Sequence, residues 1–277
     1  MKHLTKGLPF ILLLLIAISQ NVDAAIVDTV QTYSPSMKKN IKAVVITPDS
    51  YASAKELPVV YLLHGYSGNY ADWITKAKGF EKNADLFQMI IVCPDGNNSW
   101  YWDSPMDEKY KYETYVSDEL VKWVDAKYKT IKDRTGRAIT GLSMGGHGAL
   151  FLAFKHQDIF GAAGSMSGGV DIRPFPNNWD MAARLGKYAE HPENWEKNTV
   201  TNMLYLLTPN SLALIIDCGT EDFFFKVNEN LHAQLLLRNI PHDYISRPGA
   251  HNWPYWTNSI NYQLLFMNTY FKNPTRK

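Results

Sequence analysis

The segment Gly141-Leu142-Ser143-Met144-Gly145 holds a serine with one glycine two residues before it and another two residues after it. Residues 137–140 read as the end of a strand and 144–156 as a helix, so Ser143 falls on a strand-to-helix turn. Such a turn is tight and tolerates only small residues on either side of the serine. It lifts the hydroxyl out of the sheet, where it can attack an acyl carbon. The helix that follows favours negative charge on the attacked carbonyl. A serine that merely caps a helix is the ordinary alternative. The strand–turn–helix setting favours a nucleophile.

Three further strand ends supply what a serine nucleophile needs. The run 59–63 ends in His64-Gly65-Tyr66-Ser67-Gly68. At elbows of this kind one oxyanion donor is the N–H of the residue after the serine, and a second comes from a neighbouring strand's turn. These are Met144 and Tyr66; His64 is read as a residue that shapes the loop. The run 212–216 ends in Asp217-Cys218-Gly219-Thr220-Glu221-Asp222, where three carboxylates compete to orient a base. Asp222 is preferred, because it follows the Gly-Thr turn and its side chain can reach back to the cleft. Asp217 and Glu221 stay open. The last strand, 242–246, is followed by His251, the general base. His147, His156 and His232 fall on helices, and His242 starts its strand at the wrong end.

The elements that must hold these residues alternate strand and helix. Residues 26–34 and 41–47 read as an antiparallel pair. The runs 59–63, 89–93 and 212–216 are continuously apolar, as strands buried on both faces are. Residues 161–166 read as a small-residue strand. Helices are expected at 79–87, 115–128, 144–156, 228–239 and 256–272. This order predicts an α/β fold with a mostly parallel central sheet and helices on both faces. Ligands then bind beyond the carboxyl ends of the strands.

The stretches VVYLLHGYSG (59–68), 93–97, GLSMGG (141–146), DCGTEDF (217–223) and GAHNW (249–253) resemble the "putative esterase" branch of the α/β-hydrolase superfamily. That branch includes esterase D (S-formylglutathione hydrolase), feruloyl and acetylxylan esterases, and the mycolyltransferases. The resemblance implies an α/β-hydrolase fold and the triad Ser143, Asp222 and His251, in the chain order such enzymes use. It also implies the oxyanion donors Tyr66 and Met144. Through its sheet order it further implies that the Cys93 and Cys218 strands lie four positions apart, about 19 Å at ~4.8 Å per strand, too far for a disulfide. Two free, buried thiols follow.

Two segments are expected to set the substrate. The loop after the Cys93 strand carries Trp100, Tyr101 and Trp102, aromatics suited to stacking on a sugar or a hydroxycinnamoyl ring, although some of them can simply pin the loop. Trp253, beside the base, joins them as a substrate-binding candidate. Residues 170–210 are a long insertion between core strands and read as a small helical cap.

Residues 1–24 read as a signal peptide: Lys2 and Lys6, then an apolar run too short to span a bilayer, then Val22-Asp23-Ala24. The catalytic domain is then 25–277, secreted or periplasmic, with no membrane anchor. The chain has 28 Lys+Arg against 27 Asp+Glu, which gives no basic excess for nucleic acid. No cysteine or histidine spacing fits a zinc site, and neither metal nor organic cofactor is expected. Together these readings predict an exported serine carboxylesterase acting on acetyl or feruloyl esters of carbohydrates. An acyltransferase with a sugar hydroxyl as acceptor and a thioesterase like S-formylglutathione hydrolase are the alternatives, and a sugar-binding protein on an inactive hydrolase fold is disfavoured by the complete triad.

Overall fold

The structure, a computed structural model, describes residues 24–274. The expected signal segment lies outside these residues except for Ala24. In chain order the elements are β1 (Ile26–Ser34), β2 (Lys39–Thr47), β3 (Val59–Leu63), α1 (Asp72–Lys76), α2 (Lys82–Phe87), β4 (Ile90–Pro94), α3 (Tyr112–Thr114), α4 (Leu120–Lys127), β5 (Arg137–Gly141), α5 (Met144–Lys155), β6 (Ala162–Met166), α6 (Met181–Leu185), α7 (Pro192–Lys197), β7 (Ala213–Gly219), α8 (Phe225–Leu237), β8 (Asp243–Arg247) and α9 (Trp253–Lys272).

The strands form one sheet of eight in the order β1-β2-β4-β3-β5-β6-β7-β8. β2 pairs antiparallel with both β1 and β4, and every other neighbouring pair is parallel. Side chains alternate across the pleat, so each central strand feeds two cores. Val59, Tyr61, Leu63, Ile90, Val92 and Ile139 pack on one face against Leu150 and Phe151 of α5 and Leu231 and Leu235 of α8. Val60, Leu62, Ile91, Cys93 and Ala138 pack on the other face against Trp73 of α1, Ala84 of α2, and Ile260, Leu264 and Met267 of α9. Burial on both faces explains the unbroken apolar runs.

The predicted elements are present, with shifted ends. The helix expected at 115–128 starts earlier, at Tyr112, and Tyr115–Glu119 forms a widened π-helical turn between α3 and α4. Its start is held from a distance: Asp103 accepts from the Thr114 N–H at 3.0 Å and from its hydroxyl at 2.6 Å. No local pattern announces that partner. Helix α9 also starts earlier, because the Asn252 side chain caps it by accepting from the Tyr255 N–H at 3.1 Å. The insertion at 170–210 is built from α6, α7 and a 3-10 turn over Val200–Leu206. Trp195, Val200 and Leu204 sink into the core, while Trp179 reaches the cleft.

Candidate active site

Ser143, Asp222 and His251 each stand at a loop between a strand end and a helix start, after β5, β7 and β8. The sheet order places these strands on one side of β3, so three loops distant in sequence meet at the carboxyl edge.

Ser143 has φ 56° and ψ −117°, a backbone region that L residues rarely occupy. The turn is held by close backbone contacts that only glycine permits. A Cβ on Gly145 would lie 2.5 Å from the Leu63 carbonyl oxygen, and one on Gly141 would lie 2.6 Å from the Gly145 backbone. This is the physical content of the two small residues flanking the serine in the sequence. Below the turn the Ser143 N–H donates to Met166 O at 2.9 Å.

The Ser143 hydroxyl donates to His251 Nε2 at 2.8 Å. His251 Nδ1–H donates to Asp222, 2.8 Å from Oδ2 and 3.0 Å from Oδ1. The carboxylate therefore fixes the tautomer that leaves Nε2 as an acceptor. Asp222 is buried and also accepts from the Phe224 N–H at 2.8 Å, at the start of α8. Burial and partners separate the three carboxylates. Asp217 is sealed in the core, where it pairs with Arg247 at 2.7 Å and accepts from the Tyr255 hydroxyl, and Glu221 is exposed.

Tyr66 and Met144 lie on the two turns beside Ser143. A Cβ added to Gly65 would lie 3.3 Å from Ser143 Cβ, so the turn after β3 runs against the serine. Neither the Tyr66 nor the Met144 N–H donates to a protein acceptor outside regular helix and strand pairing among the described residues. Met144 opens α5, and N–H groups in the first turn of a helix have no intrahelical partner. His64 is buried and braces this turn. Its Nε2 accepts from the Gly96 N–H at 2.7 Å, which leaves Nδ1–H to donate to Gly65 O at 2.8 Å.

The aromatic loop goes elsewhere than expected. Trp100, Tyr101 and Trp102 are 1%, 0% and 0% exposed, so they do not form a substrate platform. Trp100 and Tyr101 take left-handed backbone (φ 57° and 63°), which turns the loop inward. Trp100 and Trp102 stack with ring centroids 5.5 Å apart, and both meet the His147 ring edge-on. The Trp102 indole N–H donates to His147 Nε2 at 2.9 Å, and His147 Nδ1–H donates to Gly169 O at 2.9 Å. Burial holds this imidazole neutral, with its pKa lowered to about 4. These aromatics brace α5 from behind. Loop composition indicated aromatic density but not direction, and small residues at Gly96 and Gly148, against which the Tyr101 ring packs, were the available signal.

Trp253 lines the cleft beside Ser143 and His251. The cleft has a volume of about 350 Å³, and its walls include Tyr66, Trp179, Phe223 and Trp256 besides Ser143 and His251. Phe223 is 52% exposed and its ring lies 4.2 Å from the His251 ring. Trp256 meets that imidazole edge-on at 4.9 Å. Trp179 belongs to the 170–210 insertion expected to set the substrate; Phe223 and Trp256 were not singled out in the sequence, although each lies in a segment that was.

Residues 34–267 match the model of the family described as "Putative esterase". An acetyl esterase of Caldicellulosiruptor saccharolyticus is 26% identical over 82% of this chain and 92% of its own. A diacylglycerol acyltransferase/mycolyltransferase, Ag85B, of Mycobacterium leprae is 30% identical over 74% of this chain and 73% of its own. Among solved structures, a ferulic acid esterase superposes with a TM-score of 0.78 at 28% identity, covering 90% of this chain and 99% of that one. A match of this extent, over a sheet of this form, makes the chain a member of the "Putative esterase" family and a carboxylic ester hydrolase.

Proposed function

We propose that the protein is an exported serine carboxylesterase that uses Ser143, His251 and Asp222 to cleave acetyl or feruloyl esters of carbohydrates. The observation that carries the reading is the unbroken hydrogen-bond chain from Ser143 Oγ through His251 to Asp222. Ser143 Oγ attacks the acyl carbon while His251 Nε2 takes its proton. The carbonyl oxygen becomes an oxyanion between the Tyr66 and Met144 N–H groups, each worth about 3–4 kcal/mol of barrier. Collapse expels the alcohol, which takes the proton back from His251. Water then enters by the same route, releases the acid and restores the serine. Asp222 holds the imidazole in register and stabilises its protonated form.

The aromatic walls of the cleft favour esters with a flat apolar or sugar face. The similarity to an acetyl esterase and a ferulic acid esterase supports the same substrate class. Export rests on the signal-like pattern of residues 1–24. The test is kcat/KM for methyl ferulate against 1-naphthyl acetate, with Ser143→Ala as the blank. Turnover of either ester that vanishes in the variant supports the reading, and equal turnover in the variant overturns it. A ratio well above one assigns the aryl acyl group; one far below assigns a small acyl group.

A second reading, acyl transfer to a sugar hydroxyl, draws on the similarity to the mycolyltransferase. It differs only in what replaces water at deacylation. Adding glucose to the assay and looking for an acylated sugar decides it.

A further inference from the structure

The cleft holds two charged side chains that the reaction as written does not use. Among the described residues that line it, only Asp72 and Lys76 are charged, apart from the titrating base. They stand at the two ends of α1, and Lys76 Nζ donates to Asp72 Oδ2 at 2.9 Å.

The core sets where α1 lies. Trp73, between the two, is buried and meets the Trp253 ring edge-on at 5.2 Å. Lys76 Nζ lies 5.3 Å from the centre of that ring. The Asp72 carboxylate occupies the space that a side chain at position 68 would need: a Cβ on Gly68 would lie 2.5 Å from Asp72 Oδ2. The pair therefore sits between the turn after β3, which approaches the serine, and Trp253, which follows the base.

Two runs of aromatic contact leave His251. One passes through Phe223 to Trp179 and is aromatic throughout. The other passes through Trp256 at 4.9 Å to Trp253 a further 5.6 Å away, and it ends at Lys76 and Asp72. The cleft thus has an aromatic end and a charged end. A flat or small acyl group suits the first. At the second it would cover the ion pair without replacing the hydrogen bonds that the charges need.

Helix stability does not account for the pair, because an ion pair with one partner in solvent adds little. Asp72 is a buried carboxylate, and such a group is costly unless it is well hydrogen-bonded. An ionised carboxylate has about four acceptor sites. Lys76 Nζ is the one side-chain or backbone donor to Asp72 among the described residues. Lys76 is exposed, and of its three N–H donors it gives one to Asp72. The pair lacks a partner that donates to a carboxylate and accepts from an ammonium at once. A hydroxyl group does both. Because the pair is neutral overall, it suits an uncharged polyol better than an anion. The nearby Tyr66 hydroxyl does not fill this place, since it donates to Asp180 Oδ2 at 2.7 Å.

We propose that Asp72 and Lys76 form the sugar subsite: together they bind hydroxyl groups of the carbohydrate alcohol and set a preference for esters of neutral sugars over simple alkyl esters. This inference rests on the carbohydrate-esterase reading above.

The test measures kcat/KM for methyl ferulate and for feruloyl arabinose, which carry one acyl group on methanol and on a sugar. Methyl acetate and O-acetylxylose form the matching pair for a small acyl pocket. The wild type should favour the sugar ester. Lys76→Met and Asp72→Ala in the full chain are each expected to lower the sugar-to-methyl ratio about tenfold, as loss of a hydrogen bond to a charged group does. The ratio is independent of the folded fraction, and Lys76→Met changes an exposed position, so the fold survives in at least one variant. A wild type with no preference for the sugar ester overturns the inference. So does a ratio that stays within about twofold of the wild type in either variant, because the pair then serves the acyl group or the fold. In both cases Ser143-dependent turnover leaves the esterase reading standing. A wild type inactive on all four esters, or activity that survives Ser143→Ala, overturns both.

Discussion

Asp217 and Asp222 share one loop, yet their surroundings give them opposite uses. Asp222 faces His251, whereas Asp217 is fully buried against Arg247 and Tyr255. Replacing each by asparagine should separate chemistry from stability. Asp222→Asn is expected to lower kcat about 10⁴-fold, because the amide mis-sets the imidazole tautomer, with little change in melting temperature. Asp217→Asn leaves Arg247 without its charge partner and should cost about 3–5 kcal/mol of stability, the range for breaking a buried pair. Its kcat per folded molecule should stay near the wild type. Urea unfolding beside steady-state kinetics checks both, and a catalytic collapse in Asp217→Asn at full stability would reverse the assignment. Ser143→Ala should lose at least about 10⁴-fold in kcat, as removal of a nucleophile does, and keep the fold intact by circular dichroism.

At the level of elements, α5 and the aromatic loop behind it form one unit. His147 is neutral within it, and its folded pKa of about 4 lies below the ordinary histidine value near 6.5. Between those two values the unfolded chain holds the extra proton, so stability falls as pH drops from about 6.5 towards 4. The loss reaches roughly 3 kcal/mol by linkage. Denaturant midpoints at pH 7 and pH 4.5 measure it, and His147→Gln should flatten this share of the decline. Trp102→Phe removes the indole donor and strands His147 Nε2, at about 1–3 kcal/mol. It should leave KM unchanged, whereas a sugar platform would show a higher KM. The contrast with Ser143 explains what the sequence could reveal. The positions of Ser143, Asp222 and His251 were legible for different reasons. The 212–216 run before Asp222 is apolar, and Ser143 sits in its own Gly-x-Ser-x-Gly turn. His251 follows the last strand, although β8 is neither apolar throughout nor buried. The direction of Trp100, Tyr101 and Trp102 was not legible, because a loop has no period from which to read a face. Asp103 capping α3 and Asp180 meeting Tyr66 were hidden for a related reason. Both are contacts between distant segments that no local spacing encodes.

Across the whole molecule, the sheet keeps the two thiols apart. Cys93 on β4 and Cys218 on β7 have β3, β5 and β6 between them, and both thiols are free and buried. Burial pushes both thiols above the ordinary range, so they are poor nucleophiles. Intact mass under oxidising and reducing conditions should be identical, and reductant should not shift the melting temperature. A mass 2 Da lower without reductant would show a disulfide and a different strand order. The same two-sided sheet has a consequence for when the protein becomes active. The helices behind Ser143 and Asp222 pack on one face, and α9, which begins just after His251, packs on the other. The base is also the last of the three along the chain, and the helix that follows it packs on the opposite face. A chain caught midway through synthesis carries Ser143 without His251. On the triad proposed above, hydrolysis then requires both helix layers to be closed on the sheet.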